Sequence, residues 1–402
     1  MNPRNNYRAF KSSGGPGQQL ADPSHARGQN RTRSIQLGGR EKLRNHGFTL
    51  VELMVAMTIG LIILAAVATI FGTSRSTYVL EEGLARVQEA GRFGAEFITT
   101  DVRMAGYIGC ANANTTTVQN HLNSPTSYGT NHALGQYIYG HTYTGTTGGT
   151  ALSDWTPALP GSPYFSAGDV QPYTDVVVVR RASETGVTLG VTMSDTSADL
   201  KIDSNPGGLV NNDIVMISDC SNADLLQITG PASMGAGTNN LVHNTGAGSP
   251  GNTTKPLSKA YGPDAQVMKL TTRIYYIGKR SGAAATDPPS LFRKDMGTSG
   301  AISAQELVEG VEKMKVVYGV DTELTPDNTP NIYKTANNVA ASEWSKVVSV
   351  RFGLLVRTTS KVDQTADTKP YTLVGQAIGA PFNDNFRRQV YTSTVQLRNL
   401  IN

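Results

Sequence analysis

An apolar run from Phe48 to Phe71, directly preceded by basic residues, constrains this chain more than any other part of its sequence. As a helix it would be about 36 Å long, enough to cross a hydrocarbon core of about 30 Å. The run contains one carboxylate, Glu52. A charge within the membrane costs about 2.5 to 3.5 kcal/mol on insertion scales. The sequence therefore predicts a membrane-spanning helix whose single acid requires a cationic partner.

Two simpler interpretations explain part of this segment. A plain membrane anchor would account for its length. A secretory signal peptide would account for the basic start, and Ala66-Val67-Ala68 offers a small-residue cleavage site. However, the run is longer than a usual signal-peptide core of about 7 to 15 residues, and neither interpretation explains the sequence Gly47-Phe-Thr-Leu-Val-Glu52. The segment resembles the class III signal of type IV prepilins and pseudopilins.

This resemblance implies roles for three residues. A membrane prepilin peptidase is expected to cut between Gly47 and Phe48 and to methylate the new amine. Because Gly47 has no side chain, the backbone can enter the peptidase site closely. Glu52 is expected to pair with the α-amine of a neighbouring subunit in a helical assembly. The alternative for Glu52 is a tolerated charge near the membrane interface.

The segment before the apolar run is basic and is expected to be removed. Residues 1–47 carry nine Lys or Arg residues and two acids, which gives this segment a net charge of +7. The net charge of the full chain is +4. The mature chain is therefore at −3, and no nucleic-acid binding is predicted. The positive charges should keep this leader cytoplasmic while the rest crosses the membrane. Residues 1 to about 35 are typical of disorder, which fits a mis-set translation start or a dispensable extension.

Helical periodicity continues beyond the apolar run to about residue 105. No proline occurs between Phe48 and Tyr107, so we predict one helix. Its first half should lie in the membrane or the filament core, and its second half should pack on a sheet. Glycines such as Gly91 and Gly94 mark the positions at which we expect it to be weakest. The packing stripe has three- and four-residue steps, at Leu80, Leu84, Val87, Gly91, Ile98 and Val102.

The remainder reads mainly as strands and loops, which makes the fold class α+β. β-branched or alternating runs predict largely antiparallel strands, beginning near residues 175, 213, 225, 267, 290, 314, 346 and 389. We predict irregular surface structure for residues 111–168 and a short helix from Glu306 to Lys315. The predicted domains are a leader (1–47), a transmembrane half of the helix (48–72), a soluble half (73–106) and an exported β-rich domain (107–402).

Several blocks after the helix resemble PilW-type minor pilins of type IV pili. They follow the order of that family to the end of the chain, although residues 111–260 match little. The related J-type minor pseudopilins of type II secretion share the helix and fold, but are usually shorter and lack a closing Leu-Arg-Asn. The matching blocks are Gln88–Phe93, Asp101–Tyr107, Tyr275–Gly278, Ser290–Arg293, Glu306–Asp321, Trp344–Arg351, Leu354–Thr358 and Arg387–Asn399.

The resemblance implies a pilin-like fold and a non-enzymatic subunit stored in the bacterial inner membrane, with its C-terminal domain in the periplasm, that later enters the surface pilus. The implied partners are other minor and major pilins in a tip complex that primes assembly, the prepilin peptidase, the assembly platform and a pilus-tip adhesin. Two rivals remain. One is a type II pseudopilin, which neighbouring genes would settle. The other is a secreted enzyme, whose mature chain would start after Ala68.

No catalytic or metal site is recognisable, and no cofactor is expected. His121, His132 and His141 have spacings unlike zinc motifs, and we predict that they are solvated loop residues. Gly246-Ala-Gly-Ser-Pro-Gly251 matches a dinucleotide-binding pattern, but no helix sequence follows it, so we predict a flexible loop. The segment Asp321–Asp327 clusters oxygen ligands suited to calcium, although a solvated turn is the favoured interpretation.

The chain contains two cysteines, Cys110 and Cys220, both beyond the membrane segment. An oxidising periplasm would favour a disulfide between them. The alternative is two unpaired buried thiols.

Replacing the glycine at the predicted cleavage point tests the prepilin interpretation. Gly47→Val should leave an unprocessed precursor in the inner membrane, because a branched side chain hinders entry of the backbone into the peptidase site. Mass spectrometry of the N-terminal peptide should find N-methylated Phe48 in the wild type. Deleting residues 2–35 is the control and should not change processing, since Lys42 and Arg44 remain. Normal processing of Gly47→Val would contradict the interpretation.

Overall fold

The computed structural model describes residues 47–113, 115–123, 137–237, 239–284, 286–296, 302–379 and 381–400. In that part of the chain, helix α1 spans Leu50–Arg103. Short 3₁₀ turns occur at Leu152–Asp154, Ala336–Asn338, Ala341–Lys346 and Arg398–Leu400. The strands are β1 (Val118–Asn120), β2 (Ile138–Tyr143), β3 (Trp155–Thr156), β4 (Val176–Thr188), β5 (Leu200–Ile202), β6 (Ile214–Ser218), β7 (Ala223–Gln227), β8 (Asn239–Leu241), β9 (Gln266–Gly278), β10 (Ser290–Met296), β11 (Ile302–Glu309), β12 (Val311–Val320), β13 (Ile332–Lys334), β14 (Val347–Arg357), β15 (Thr372–Leu373), β16 (Gln376–Ala377) and β17 (Arg388–Gln396).

The first unit of the structure ends at Ala65 and contains the start of α1. Its large apolar side chains, from Leu50 to Leu64, are exposed. Among the described residues, α1 is the helix that is long and apolar enough to cross a membrane. So much exposed apolar surface is unfavourable in water, which agrees with the membrane helix predicted from the sequence.

From Ala66 onward the strands form two large sheets and two small ones. The nine-stranded sheet has the order β1-β7-β6-β9-β4-β2-β3, and β10 joins β9 to β11 at its side. The four-stranded sheet has the order β13-β12-β14-β17 and is antiparallel throughout. Except for the parallel pair β1–β7, the described strand pairs of the nine-stranded sheet are also antiparallel. The α+β fold predicted from the sequence is therefore confirmed.

One continuous core joins both large sheets to one face of α1. The helix contributes Val87, Ile98 and Val102, all fully buried, to a cluster with side chains from the two sheets. These residues belong to the stripe predicted from the sequence. A second hydrophobic cluster lies entirely within residues 187–267 and has its own buried side chains. This part of the chain thus contains a core of its own.

Two glycines of α1 lie where the helix comes closest to the four-stranded sheet. A side-chain carbon at Gly91 would overlap the ring of Tyr391, and one at Gly94 would lie 3.2 Å from a methyl group of Leu354. The hydroxyl of Tyr391 also donates a hydrogen bond to the carbonyl of Val87 at 3.2 Å. The helix runs unbroken through both glycines. Their role is therefore close approach, and the helix is not interrupted at either glycine.

The prediction of a short helix from Glu306 to Lys315 is wrong. Strand β11 ends at Glu309, Gly310 turns the chain with φ at 86°, and β12 begins at Val311. Leu307, Val311 and Met314 happen to follow helical spacing, and this produced the error. The glycine supplies the left-handed backbone that passes the chain from one sheet to the other.

The prediction of irregular surface structure for residues 111–168 is also wrong in part. Strand β2 lies inside the nine-stranded sheet between β3 and β4, and most of its residues are buried. Its polar members are satisfied by hydrogen bonds. The Thr142 hydroxyl accepts from the Ala336 N–H at 2.9 Å, and the Tyr143 N–H donates to Asp175 at 3.0 Å. A polar sequence can form a core strand when such partners exist, and these partners are distant in sequence.

A matched pair of glycine substitutions tests the close approach of helix and sheet. Gly91→Ala should destabilise the domain by about 1 to 3 kcal/mol, because the ring of Tyr391 must move. Gly72→Ala is the control, since nothing lies within 4 Å of its added carbon. It should be neutral or slightly stabilising, because alanine favours helix by about 1 kcal/mol over glycine. Thermal unfolding of the detergent-extracted protein measures both, and equal midpoints would contradict the packing argument.

Candidate functional site

The N-terminus of α1 is closed by hydrogen bonds between Thr49 and Glu52. The Thr49 N–H and hydroxyl both donate to one carboxylate oxygen of Glu52, at 2.9 and 3.0 Å. In return, the Glu52 N–H donates to the Thr49 hydroxyl at 3.2 Å. This reciprocal arrangement is a capping box, which satisfies donors that the first helical turn leaves without partners.

Sequence reasoning assigned Glu52 to assembly and missed the role of Thr49. The pattern Thr-x-x-Glu just before an apolar run is a known sign of a helix start, and it could have found the pair. The carboxylate of Glu52 therefore has a local structural partner in the isolated subunit. The structure does not test whether the carboxylate also binds a neighbouring amine.

Gly47 and Phe48 are presented openly before the helix begins. Phe48 is 90% exposed, and no atom lies within 4 Å of the position that a side-chain carbon of Gly47 would occupy. The backbone at this junction lies outside the helix, which begins at Leu50. An enzyme can reach the Gly47–Phe48 peptide bond without unwinding α1.

Cys110 and Cys220 form a disulfide, with their Cα atoms 4.8 Å apart. Cys110 lies seven residues after the end of α1, and Cys220 lies in the turn between β6 and β7. The bond therefore ties the chain that leaves the helix to a hairpin of the nine-stranded sheet. The prediction of this pair is confirmed, and the alternative of two unpaired thiols is excluded.

A buried carboxylate, Asp101, anchors the last turns of α1 to β9. It is 1% exposed, binds the guanidinium of Arg273 and accepts a hydrogen bond from the hydroxyl of Tyr275. Arg181 of β4 lies 3.5 Å away. Burial, together with the carboxylate of Asp101, raises the pKa of Tyr275, so the hydroxyl keeps its proton and remains a donor. Removing one partner of such a buried ion pair typically costs about 3 to 5 kcal/mol.

Two histidines expected to be solvated are instead held in the folded structure. His141 is buried on β2, where its Nδ1 donates to the carbonyl of Pro157 at 2.7 Å, and burial lowers the pKa of His141 to about 4. His121 lies between the Asp224 carboxylate at 2.5 Å and the Thr254 hydroxyl at 2.8 Å. His132 lies outside the described residues. Among the described residues, no three His, Cys, Asp or Glu side chains are grouped as metal ligands would be.

The glycine-rich motif forms a loop, as expected. Residues 246–251 form turns, and the Gly251 N–H donates to the Gln227 side chain at 2.7 Å. The loop is thus attached to β7 and does not open a helix.

In the Asp321–Asp327 segment, nearby backbone N–H groups bind the carboxylate of Asp321. One oxygen of Asp321 accepts from the Glu323 N–H at 3.1 Å, and the other accepts from the Asn328 N–H at 2.9 Å. The carboxylate of Asp321 therefore acts as the centre of a turn, as favoured from the sequence, but it is buried and not solvated.

Comparison with protein families gives two matches, one at the start of α1 and one in the C-terminal β-rich region. Residues 42–68 match the prokaryotic N-terminal methylation motif, which covers the exposed Gly47–Phe48 junction and the start of α1. Residues 274–399 match the type IV pilus-assembly protein W family, which covers part of β9, all of β10 to β17 and part of the joined core. No curated protein and no solved structure matches the chain.

The two matches support a PilW-type minor pilin with a class III prepilin signal. The two matches stand in the order that this assignment requires, signal first and assembly domain last. The pilin functions in type IV pilus assembly, and its membrane-capable helix agrees with membrane anchoring. Proteins of the pilus-assembly family are typically structural. The rival assignment to type II secretion is not better supported.

Thiol chemistry tests the disulfide of this pilin in solution. Labelling of the unfolded but unreduced protein should find no free thiol, whereas reduction should release both. The chain-entropy model gives a closed loop of this length roughly 4 to 5 kcal/mol of stabilisation, an upper figure if the native state is strained. The double variant Cys110→Ser/Cys220→Ser should therefore unfold at a clearly lower temperature. Full labelling of both cysteines before reduction would contradict the bond.

Proposed function

We propose that this pilin is made as an inner-membrane precursor, cut after Gly47, methylated at Phe48 and assembled into a tip complex that primes the pilus. The observation that carries this proposal is the occurrence of a prepilin motif and a PilW domain in one chain. The open Gly47–Phe48 junction supports it, because a peptidase needs access to the backbone there. The prepilin peptidase and the pilus assembly platform are then its partners before assembly.

The proposed orientation places the leader in the cytoplasm and residues 107–402 in the periplasm. The basic charge of residues 1–47 supports the first part. The Cys110–Cys220 disulfide supports the second, since disulfides persist in oxidising compartments such as the bacterial periplasm. The assembled pilin would then reach the cell surface as part of the filament.

The proposed position at the tip follows from the bulk of the domain. The PilW match leaves out residues 187–267, which form strands β5 to β8 and a separate hydrophobic cluster. A domain enlarged in this way would obstruct repeated packing along a thin filament. It suits a low-copy position beside other minor pilins, from which a tip adhesin can be held.

Glu52 is proposed to cap α1 in the isolated subunit and to pair with a neighbouring subunit in the assembly. In the isolated chain its carboxylate caps α1 through Thr49. Once a neighbouring subunit docks, the α-amine of that subunit's first residue is a stronger partner, because an ionised donor forms the stronger hydrogen bond. Since a lone charge in the membrane is costly, such docking is favoured only where the depths of the two groups coincide. The pair would thus set the register between subunits.

Two substitutions at Glu52 separate capping from charge. Glu52→Gln keeps an oxygen that can accept from Thr49 but has no charge, whereas Glu52→Ala removes both. If the charge sets the register, both variants should insert and be cut after Gly47, and both should lose several-fold in partner pilins recovered from membranes and in surface pili. Wild-type recovery and piliation by Glu52→Gln would leave Glu52 a capping residue and would overturn its proposed assembly role.

A further inference from the structure

A strap formed by residues 252–258 covers part of the 187–267 cluster. These residues form neither a helix nor a strand, so contacts with other segments hold them in place. Leu257 of the strap is buried in the cluster, and its N–H donates to the carbonyl of Thr196 at 2.9 Å. The Thr253 N–H donates to the carbonyl of His121 at 2.7 Å. The strap therefore joins the cluster to the segment that follows β1.

Two side-chain contacts of the strap do not depend on a neutral histidine. The Ser258 N–H donates to the Asp224 carboxylate at 3.0 Å, and the hydroxyls of Ser258 and Tyr261 donate to it as well. Burial acts to raise the pKa of Asp224, but hydrogen bonds from His121 and Ser258 outweigh it and lower that pKa. His121 also bonds the hydroxyl of Thr254. A protonated His121 would still donate to both groups, so acid leaves these contacts in place.

His243 lies against the strap without such contacts. Its side chain is 1% exposed, and neither ring nitrogen makes a hydrogen bond within the described residues. The ring faces the backbone and the charge of Lys255 in the strap, together with Asp199 and His121. Lys255 in turn lies 3.5 Å from the Asp199 carboxylate. Burial, and then the charge of Lys255, lowers the pKa of His243, so the ring is uncharged near neutral pH.

A charge on His243 would oppose closure of the strap. A freely exposed histidine takes up a proton near pH 6.5, whereas the covered ring of His243 does so only at lower pH. The closed strap therefore has its full stability above about pH 6.5 and loses stability as the pH falls toward the pKa of the covered ring. The imidazolium would be buried beside a second cation, Lys255, and Asp199 already pairs with that cation. Lifting the strap lets water reach the charged ring.

We propose that the strap is an acid-sensitive latch, in which protonation of His243 lifts Lys255 and Leu257 away from the 187–267 cluster. The contacts through Asp224 and His121 remain, so the opening is local and reversible. Exposure of the apolar surface around Leu257 then depends on pH. The latch does not depend on the proposed function, because every group that it uses lies in the β-rich domain.

Hydrogen exchange of the full detergent-extracted protein, corrected for the intrinsic effect of pH on exchange, tests the latch. The Leu257 amide should exchange several-fold faster at about pH 5.5 than at about pH 7.5, a range that spans the ordinary pKa of histidine. Amides of β12 and β14 are the internal control and should not change. His141 stays uncharged over this range, because its pKa is about 4. His243→Leu, which keeps a buried and uncharged side chain, should abolish the difference.

Two charge variants separate protonation of His243 from a general loosening of the strap. Lys255→Gln removes the facing cation and should reduce the ratio of Leu257 exchange rates between the two pH values. Asp199→Asn removes the facing carboxylate and should increase that ratio. Because each variant is compared with itself at two pH values, any loosening that does not depend on pH cancels. This pair also tests the latch if His243→Leu does not fold.

Three results would overturn the proposal. The first is an equal Leu257 exchange rate at both pH values in the wild type. The second is an unchanged acid effect in a folded His243→Leu protein. The third is a shift of both charge variants in the same direction, since the strap would then respond to loss of the Lys255–Asp199 pair and not to the charge of His243.

Discussion

The apolar side chains of helix α1 must be buried against other groups, and the rest of this structure depends on that constraint. A helix with an apolar stripe cannot bury that stripe by itself, and tertiary packing supplies most of its stability. From Val87 to Val102 the cover comes from the two large sheets, and Gly91 and Gly94 let the backbone approach Tyr391 and Leu354. The apolar side chains from Leu50 to Phe71 have no such cover and require a membrane or other subunits.

Polar contacts at the end of α1 decide how the helix is turned about its axis. Apolar packing is not directional and tolerates rotation. The carboxylate of Asp101 accepts from Arg273 and Tyr275 in fixed directions, and the Cys110–Cys220 disulfide ties down the chain that follows. Together they present one face of the helix to the sheets. The same orientation of the helix about its axis leaves the flank with Phe93 and Phe97 exposed.

The start of α1 shows how one residue can belong to two states. The capping box of Thr49 and Glu52 makes the helix complete in a single subunit. In the proposed assembly the same carboxylate would be available to the α-amine that cleavage after Gly47 would expose. An exchangeable cap of this kind would suit a subunit that is stored alone and then docked. The bulk of the 187–267 cluster places limits on where such a subunit fits in a filament.

The sequence by itself determined the long helix, its packing stripe, most of the strands, the disulfide and the signal around Gly47, because each depends on local pattern or on the identity of a few residues. It did not reveal strand β2, in which the Thr142 hydroxyl is satisfied by Ala336 and the Tyr143 N–H by Asp175, nor the turn at Gly310, where apolar spacing imitated a helix. It also missed the burial of Asp101 and His141. Those features depend on partners between 16 and 194 residues away or on backbone geometry, and only the tertiary structure brings such groups together.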